Sequence, residues 1–159
     1  MRILASIALA LLLVGCSDSD DSTGPTGPPD AVGQYDGTWT IFGSSSPGGE
    51  NDTVNCTGYV SIAGQSGTDI SGELSVGPEG ESEWLCSGNI ARGVSGSIDE
   101  IGHVALRLDD EAELYTDCEG DFQLTGHLAG NRISLTQGPM MCDEGNNVIT
   151  WQLSFTGDR

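Results

Sequence analysis

Ile70-Ser71-Gly72-Glu73-Leu74 decides the fold, because its pattern of an apolar residue, serine or threonine, glycine, any residue and a second apolar residue recurs along the chain. Residues two apart in a strand point to the same face, so the glycine and the apolar ends share one face. Each copy therefore predicts a β-strand with one buried face. The other copies are Cys56–Val60, Cys86–Ile90, Val94–Ile98 and Leu124–Leu128, and Cys118–Phe122 is a looser one.

Glycines on the buried face favour a barrel. Glycine is unfavourable inside a strand, but a face without side chains can coil tightly, which bends a sheet into a small barrel. A β-sandwich, which would fill that face with valine and isoleucine, is the alternative. Short polar connections then predict an all-β, antiparallel up-and-down barrel of about eight to ten strands. The predicted strands are 35–42, 54–63, 68–76, 82–91, 93–99, 103–109, 113–128, 132–137 and 148–156.

The first predicted strand contains Gly37-Thr38-Trp39, which resembles the Gly-x-Trp opening of lipocalin and avidin type barrels. The resemblance implies a lipocalin-like barrel in which Trp39 plugs one end, and it implies small-molecule binding. The arginine that packs over this tryptophan in such barrels can be matched only to Arg159.

Large aromatic side chains supply either a pocket or a core. If the barrel interior is partly empty, they line a pocket for a small apolar or sugar-like ligand. If side chains fill the interior, the domain is instead a structural or protein-interaction module. The candidate pocket residues are Trp39, Trp84, Trp151, Phe122 and Phe155.

Residues 120–137 predict a hairpin with its turn at residues 129–132, since Gly-Asn suits a two-residue loop. Facing residues then have numbers that sum to about 260 or 261. Cys118 and Cys142 fit this register, so we expect them to form a disulfide. By elimination Cys56 pairs with Cys86, and two disulfides indicate an oxidising compartment.

The first residues have the layout of a secretory signal: Arg2, an apolar run over residues 3–14, and a small residue, Gly15. Leu13-Val14-Gly15-Cys16 resembles the bacterial lipobox, which implies cleavage before a lipid-modified Cys16. An ordinary secretory signal cut elsewhere is the alternative. We therefore predict a signal peptide over 1–15, a disordered acidic and Pro/Gly-rich tether over 16–33, and a barrel domain over 34–159.

Lipidation of Cys16 predicts attachment to a membrane of the bacterial cell envelope, and we expect the outer membrane. Asp18, Asp20 and Asp21 resemble the acidic signals that send some lipoproteins of Gram-negative bacteria to the outer face of that membrane. They equally suit a solvated tether. The periplasmic and surface leaflets both stay open.

The chain carries a net charge of -19, which argues against nucleic acid as a partner because phosphates are repelled. The partner we expect is an unidentified small molecule or envelope protein. No nucleophile elbow or phosphate loop occurs, and the positions of His103 and His127 predict surface residues, so we expect neither an enzyme nor a cofactor. We assign no metal site. Four clustered carboxylates are weak candidates for calcium because of their charge, but they lack the spacing of a calcium-binding loop. These carboxylates are Asp109, Asp110, Glu111 and Glu113.

Overall fold

The structure, a computed structural model, describes residues 27–46, 49, 51–77, 86, 91–110, 118–119, 122–143 and 148–159. Ten β-strands lie in these ranges and belong to one sheet. They are β1 (Gly33–Ser46), β2 (Asn51–Ser66), β3 (Asp69–Val76), β4 (Arg92–Ile98), β5 (His103–Leu108), β6 (Cys118–Glu119), β7 (Gln123–Ala129), β8 (Arg132–Gln137), β9 (Met140–Asp143) and β10 (Val148–Asp158).

Eight of the strands form a closed antiparallel barrel. The order runs through β1, β2, β3, β4, β5, β7, β8 and β10, and β10 then pairs with β1. Strands that are neighbours along the chain are thus neighbours in the ring, apart from the short strands β6 and β9. The predicted all-β antiparallel meander is confirmed. The closure between β1 and β10 excludes the alternative of a β-sandwich.

β9 and β6 extend the sheet beyond one end of the barrel. β8 pairs with the second half of β10 and β9 pairs with its first half, so a break between β8 and β9 falls at Gly138 and Pro139. Proline has no N–H to donate to a neighbouring strand, which accounts for the break. β6 pairs with β9 on its other side.

β7 and β8 form the predicted hairpin. Leu124 faces Gln137 and Ala129 faces Arg132, so the numbers of facing residues sum to 261. Gly130 has a φ of +60°, the left-handed backbone conformation that a tight hairpin turn requires. The predicted register of this hairpin is confirmed.

The predicted barrel strand over residues 82–91 is wrong. β3 pairs directly with β4, which leaves no position between them in the ring. The chain turns at Gly77, where φ is +87° and the N–H donates to the Thr57 oxygen at 2.6 Å. Of residues 82–90 the structure describes Cys86, which lies in a turn and is disulfide-bonded to Cys56. The repeat pattern cannot form a further barrel strand here because β3 and β4 already pair with each other.

The strands are strongly staggered around the barrel. Asn55 on β2 faces Thr40 on β1, which faces Ser154 on β10 and then Thr136 on β8. Following the facing residues around the rest of the ring leads back to β2 at Ser66, eleven residues beyond Asn55. Closure of a small barrel requires such a stagger together with a strand tilt of about 35–45°. A residue at the same height along the barrel axis on the neighbouring strand is therefore not the facing partner. It lies a little over one residue away from that partner along the strand.

The glycines of the repeat allow adjacent strands to pass very close to one another. A Cβ atom added to Gly126 would overlap the carbonyl oxygen of Ser134, and one added to Gly96 would overlap that of Ala105. Both glycines stand between buried neighbours on the inner face. At these glycines the backbone of one strand closely approaches the backbone of the next, as a tightly coiled sheet requires.

The two ends of the barrel differ. One end, which we call the closed end, is sealed by Ala31, Tyr35 and Arg159, and the turns at this end span two to four residues. Tyr35 donates its hydroxyl hydrogen to the Ala31 oxygen at 2.9 Å, and Gln65 accepts the Ala31 N–H at 2.8 Å. The opposite end, the loop end, carries the Cys56–Cys86 disulfide and the long connections at residues 77–91 and 109–122.

Replacing Gly126 by alanine should lower the free energy of unfolding by about 1–3 kcal/mol, because the new methyl group must displace the backbone of β8. Urea unfolding monitored by tryptophan fluorescence measures this change. Gly138→Ala is the matched control, since nothing lies within 4 Å of a Cβ at that position. Equal stabilities of the two variants would contradict the close-approach explanation.

Candidate functional site

Two of the predicted pocket residues form the centre of the core. Trp39 is completely buried, and its ring centroid lies 4.7 Å from that of Phe155. The Trp39 indole N–H donates to the Ser75 carbonyl oxygen at 2.8 Å. A buried indole whose single donor is satisfied within the fold acts as a core residue. Trp39 and Phe155 therefore fill the barrel at this level instead of lining an open pocket.

The other predicted pocket residues lie towards the loop end where they are described. Phe122 is buried, and Trp151 is partly buried and packs on the edge of the core. Trp84 lies outside the described residues. The four described aromatic residues are thus divided between the core and the loop end, where Phe122 and Trp151 lie.

Arg159 does not pack over Trp39. Its guanidinium carbon lies 5.7 Å from the centre of the Tyr35 ring, and its Nη1 donates to the Val32 oxygen at 2.6 Å. Burial raises the pKa of the Tyr35 hydroxyl, and the positive charge of Arg159 opposes this shift. The resemblance to lipocalin and avidin type barrels implied that Arg159 packs over Trp39, and this expectation is wrong. β10 ends beside Tyr35, which precedes Trp39 by four residues, so Arg159 contacts Tyr35 instead.

The most unusual polar group of the interior is the side-chain amide of Gln137. This residue follows the buried Ile133 and Leu135 at alternate positions of β8, so it faces the barrel interior, and it is 1% exposed. Neither Oε1 nor Nε2 has a hydrogen-bond partner. Buried polar groups are nearly always paired, and an unpaired one destabilises the fold by about 1–3 kcal/mol.

Arg92 supplies a second unpaired polar group near the loop end. It is the first residue of β4 and precedes the buried Val94 by two positions, so its side chain starts on the inner face. Its Nε is buried and has no hydrogen-bond partner. The stagger of the strands brings Arg92 to about the level of Gln137, on the other side of the ring.

Several partly buried apolar side chains also lie towards the loop end. Four partly buried residues pack against the core there, and the Cys56–Cys86 disulfide, whose Cα atoms are 5.6 Å apart, pins the long connection after β3 beside them. A concave, mostly apolar surface with a few polar groups is the usual composition of a small-molecule site. The partly buried residues are Val54, Val76, Trp151 and Leu153.

Sequence reasoning missed Gln137 and Arg92. Strict alternation in Ile133-Ser134-Leu135-Thr136-Gln137 places Gln137 on the apolar face, and this was the signal that could have identified it. For Arg92 the corresponding signal was its spacing of two residues from Val94.

The disulfide predicted between Cys56 and Cys86 is confirmed. Cys142 is disulfide-bonded, and Cys118 lies directly opposite it in the register of β6 and β9. The side chain of Cys118 lies outside the described residues, so the pairing of Cys118 with Cys142 stays a prediction.

The calcium candidates do not form a described site. Asp109 and Asp110 are exposed after β5, and Glu111 and Glu113 lie outside the described residues. Within the described ranges, no group of three or more His, Cys, Asp or Glu side chains is arranged to hold a metal ion. No helix in the same ranges is long and apolar enough to cross a membrane.

Comparisons of the chain with protein-family models, with curated proteins and with solved structures gave no match.

Gln137→Leu should raise the free energy of unfolding of ligand-free protein by about 1–3 kcal/mol, because leucine has a similar volume and no unpaired polar group. The midpoint of urea unfolding measures the change. Thr136→Val, which alters the neighbouring exposed position of the same strand, serves as the control. A Gln137→Leu variant that is less stable than the wild type would show that the amide has a stabilising partner.

Proposed function

We propose that this protein is a lipid-anchored, non-catalytic protein of the bacterial cell envelope whose barrel binds a small, largely apolar molecule at the loop end. The observation that carries the proposal is the Gln137 amide, which is buried in the barrel and has no partner for either of its polar atoms.

An amide of this kind weakens the folded state, and selection for stability alone favours leucine at such a position. Functional sites are where proteins retain groups that destabilise the fold. A ligand that both donates to Oε1 and accepts from Nε2 satisfies the amide completely. Binding then supplies the hydrogen bonds that the buried amide lacks in the ligand-free protein, and these bonds contribute to the binding free energy.

The surroundings define the class of ligand. The apolar side chains described towards the loop end include Phe122, Trp151 and Leu153. Arg92 adds a donor and a positive charge at about the same level. The ligand that fits is a small molecule with an apolar body and one polar head, and the head carries an acceptor for the Arg92 Nε–H.

The proposed anchor suits this arrangement. The chain enters the barrel at the closed end, where Gly33 begins β1, so a tether over residues 16–33 leads from the membrane to that end. Fully extended, such a tether of 18 residues reaches about 60 Å. The proposed tether thus joins the barrel at the end opposite the loop end.

A structural or protein-interaction module is the second candidate function. The observation that favours it is the completely buried cluster around Trp39, Tyr35 and Phe155, which fills the middle of the barrel. In that case the loop end is a contact surface and no small molecule is bound inside.

Native mass spectrometry of the protein extracted from its own membrane distinguishes the two functions. For a binding protein we expect an additional mass of a few hundred daltons, corresponding to the pocket size usual for such ligands. The additional mass should be absent in Gln137→Leu and retained in Thr136→Val. Wild-type protein that carries no small molecule would contradict ligand binding and favour the structural module.

Replacing Cys16 by alanine should release the protein from the membrane fraction, because the proposed acyl chains supply the attachment. Cell fractionation followed by immunoblotting measures this. Ser17→Ala is the control and should remain in the membrane fraction. Membrane association of the Cys16 variant at the wild-type level would contradict the anchor.

A further inference from the structure

The two histidines of the chain meet on the outer face of the barrel. His103 is the first residue of β5, and His127 lies directly opposite it on β7. Both side chains are exposed, their ring centroids are 5.6 Å apart, and the ring planes are inclined at 74°. This pair lies on the opposite side of the sheet from the interior residues Gln137 and Arg92.

A carboxylate orients the ring of His103. Its Nδ1 lies 3.2 Å from Oδ2 of Asp99. A carboxylate only accepts hydrogen bonds, so Nδ1 carries the hydrogen and Nε2 of the neutral ring keeps its lone pair. Asp99 is itself fixed by the backbone N–H groups of His103 and Ile101, at 2.8 and 3.0 Å. The same N–H groups, that of His103 foremost, lower the pKa of Asp99.

A backbone carbonyl orients the ring of His127. Its Nε2 lies 2.8 Å from the oxygen of Ile101. Because a carbonyl only accepts, Nε2 carries the hydrogen, and the lone pair of the neutral ring is on Nδ1. Gly102, with a φ of +87°, lets the turn between β4 and β5 pass beneath this ring, and a Cβ there would lie 3.4 Å from Nε2. One turn therefore positions both histidines.

We propose that His103 Nε2 and His127 Nδ1 together bind one divalent late transition-metal ion, with Cu²⁺ bound most tightly. A metal-binding histidine almost always donates its other ring N–H to a carboxylate or a backbone carbonyl, and this pair shows one case of each. Imidazole nitrogens suit Cu²⁺, Ni²⁺ and Zn²⁺, and affinity for such ligands is highest for Cu²⁺.

The spacing of the rings fits a single ion. Two imidazoles bound through nitrogens 2.0–2.1 Å from one metal have centroids about 5 Å apart. The observed separation of 5.6 Å is close to this value. Water completes the coordination on the exposed side, and the net charge of -19 draws cations to the surface.

The test is a titration of the full-length protein in detergent micelles with Cu²⁺, followed by calorimetry and electron paramagnetic resonance. We expect one tight site per chain, with hyperfine splitting from nitrogen ligands. His103→Asn and His127→Asn should each lower the affinity at least tenfold and remove the nitrogen splitting. The order of affinity should be Cu²⁺ above Zn²⁺.

The proposal is overturned if each single variant keeps tight binding at unchanged affinity, because the histidines would then bind separate ions. It is also overturned if the double variant His103→Asn/His127→Asn retains the wild-type site, because exposed carboxylates would then be the ligands. Asp36→Asn, which removes a surface charge on β1, should leave the affinity unchanged.

Asp99 is a positioning residue for this site. Asp99→Asn retains one oxygen for the backbone N–H groups but turns an amide NH₂ group towards the Nδ1–H of His103. We expect the affinity for Cu²⁺ to fall about 10–100-fold, as for other groups that orient metal ligands. Asp109→Asn removes the same charge at another exposed turn and is the matched control. Equal affinities of these two variants would show that Asp99 has no part in orienting His103.

Discussion

The fold depends on the close approach of neighbouring strands at the glycines of the repeat. At Gly126 the carbonyl of Ser134 occupies the space that any other residue would need for its Cβ atom. The same relation occurs at Gly96 and at Gly72, so tight coiling is distributed around the ring. The sheet closes with eight strands because backbone replaces side chains at these points. Inside the barrel the rings of Trp39 and Phe155 pack against each other and are buried.

The two ends of the barrel differ in whether their polar groups have hydrogen-bond partners within the fold. At the closed end the polar groups of Tyr35, Arg159 and Gln65 are satisfied within the fold. Towards the loop end, Gln137 and Arg92 each retain a buried polar atom without a partner. The buried polar atoms without a partner in the described residues thus belong to Arg92 and Gln137, away from the end where the chain enters the barrel. This division is the physical basis for placing a binding function at the loop end.

Much of the fold was predictable because the responsible interactions are local. The alternation of apolar and polar residues gave the strands, and the turn at Gly130 fixed the register of the β7 and β8 hairpin. The resemblance to lipocalin and avidin type barrels placed Trp39 correctly in the core but misplaced Arg159, whose position depends on where β10 ends. The strand predicted over residues 82–91 was wrong because β3 pairs directly with β4, a non-local contact that a local pattern does not reveal.

The candidate sites were less predictable than the fold. Arg92 and Gln137 are 45 positions apart in the sequence, and only the stagger of the closed barrel brings them to one level. The two histidines were correctly predicted to be exposed. Their proximity depends on the register between β5 and β7, which is set across a long connection.

The closed end also has a mechanical consequence, since β1 begins there and is hydrogen-bonded along its length to both β2 and β10. A pull on the N-terminal end of β1 acts along the axis of the strand, so its hydrogen bonds to both neighbouring strands are loaded together in shear.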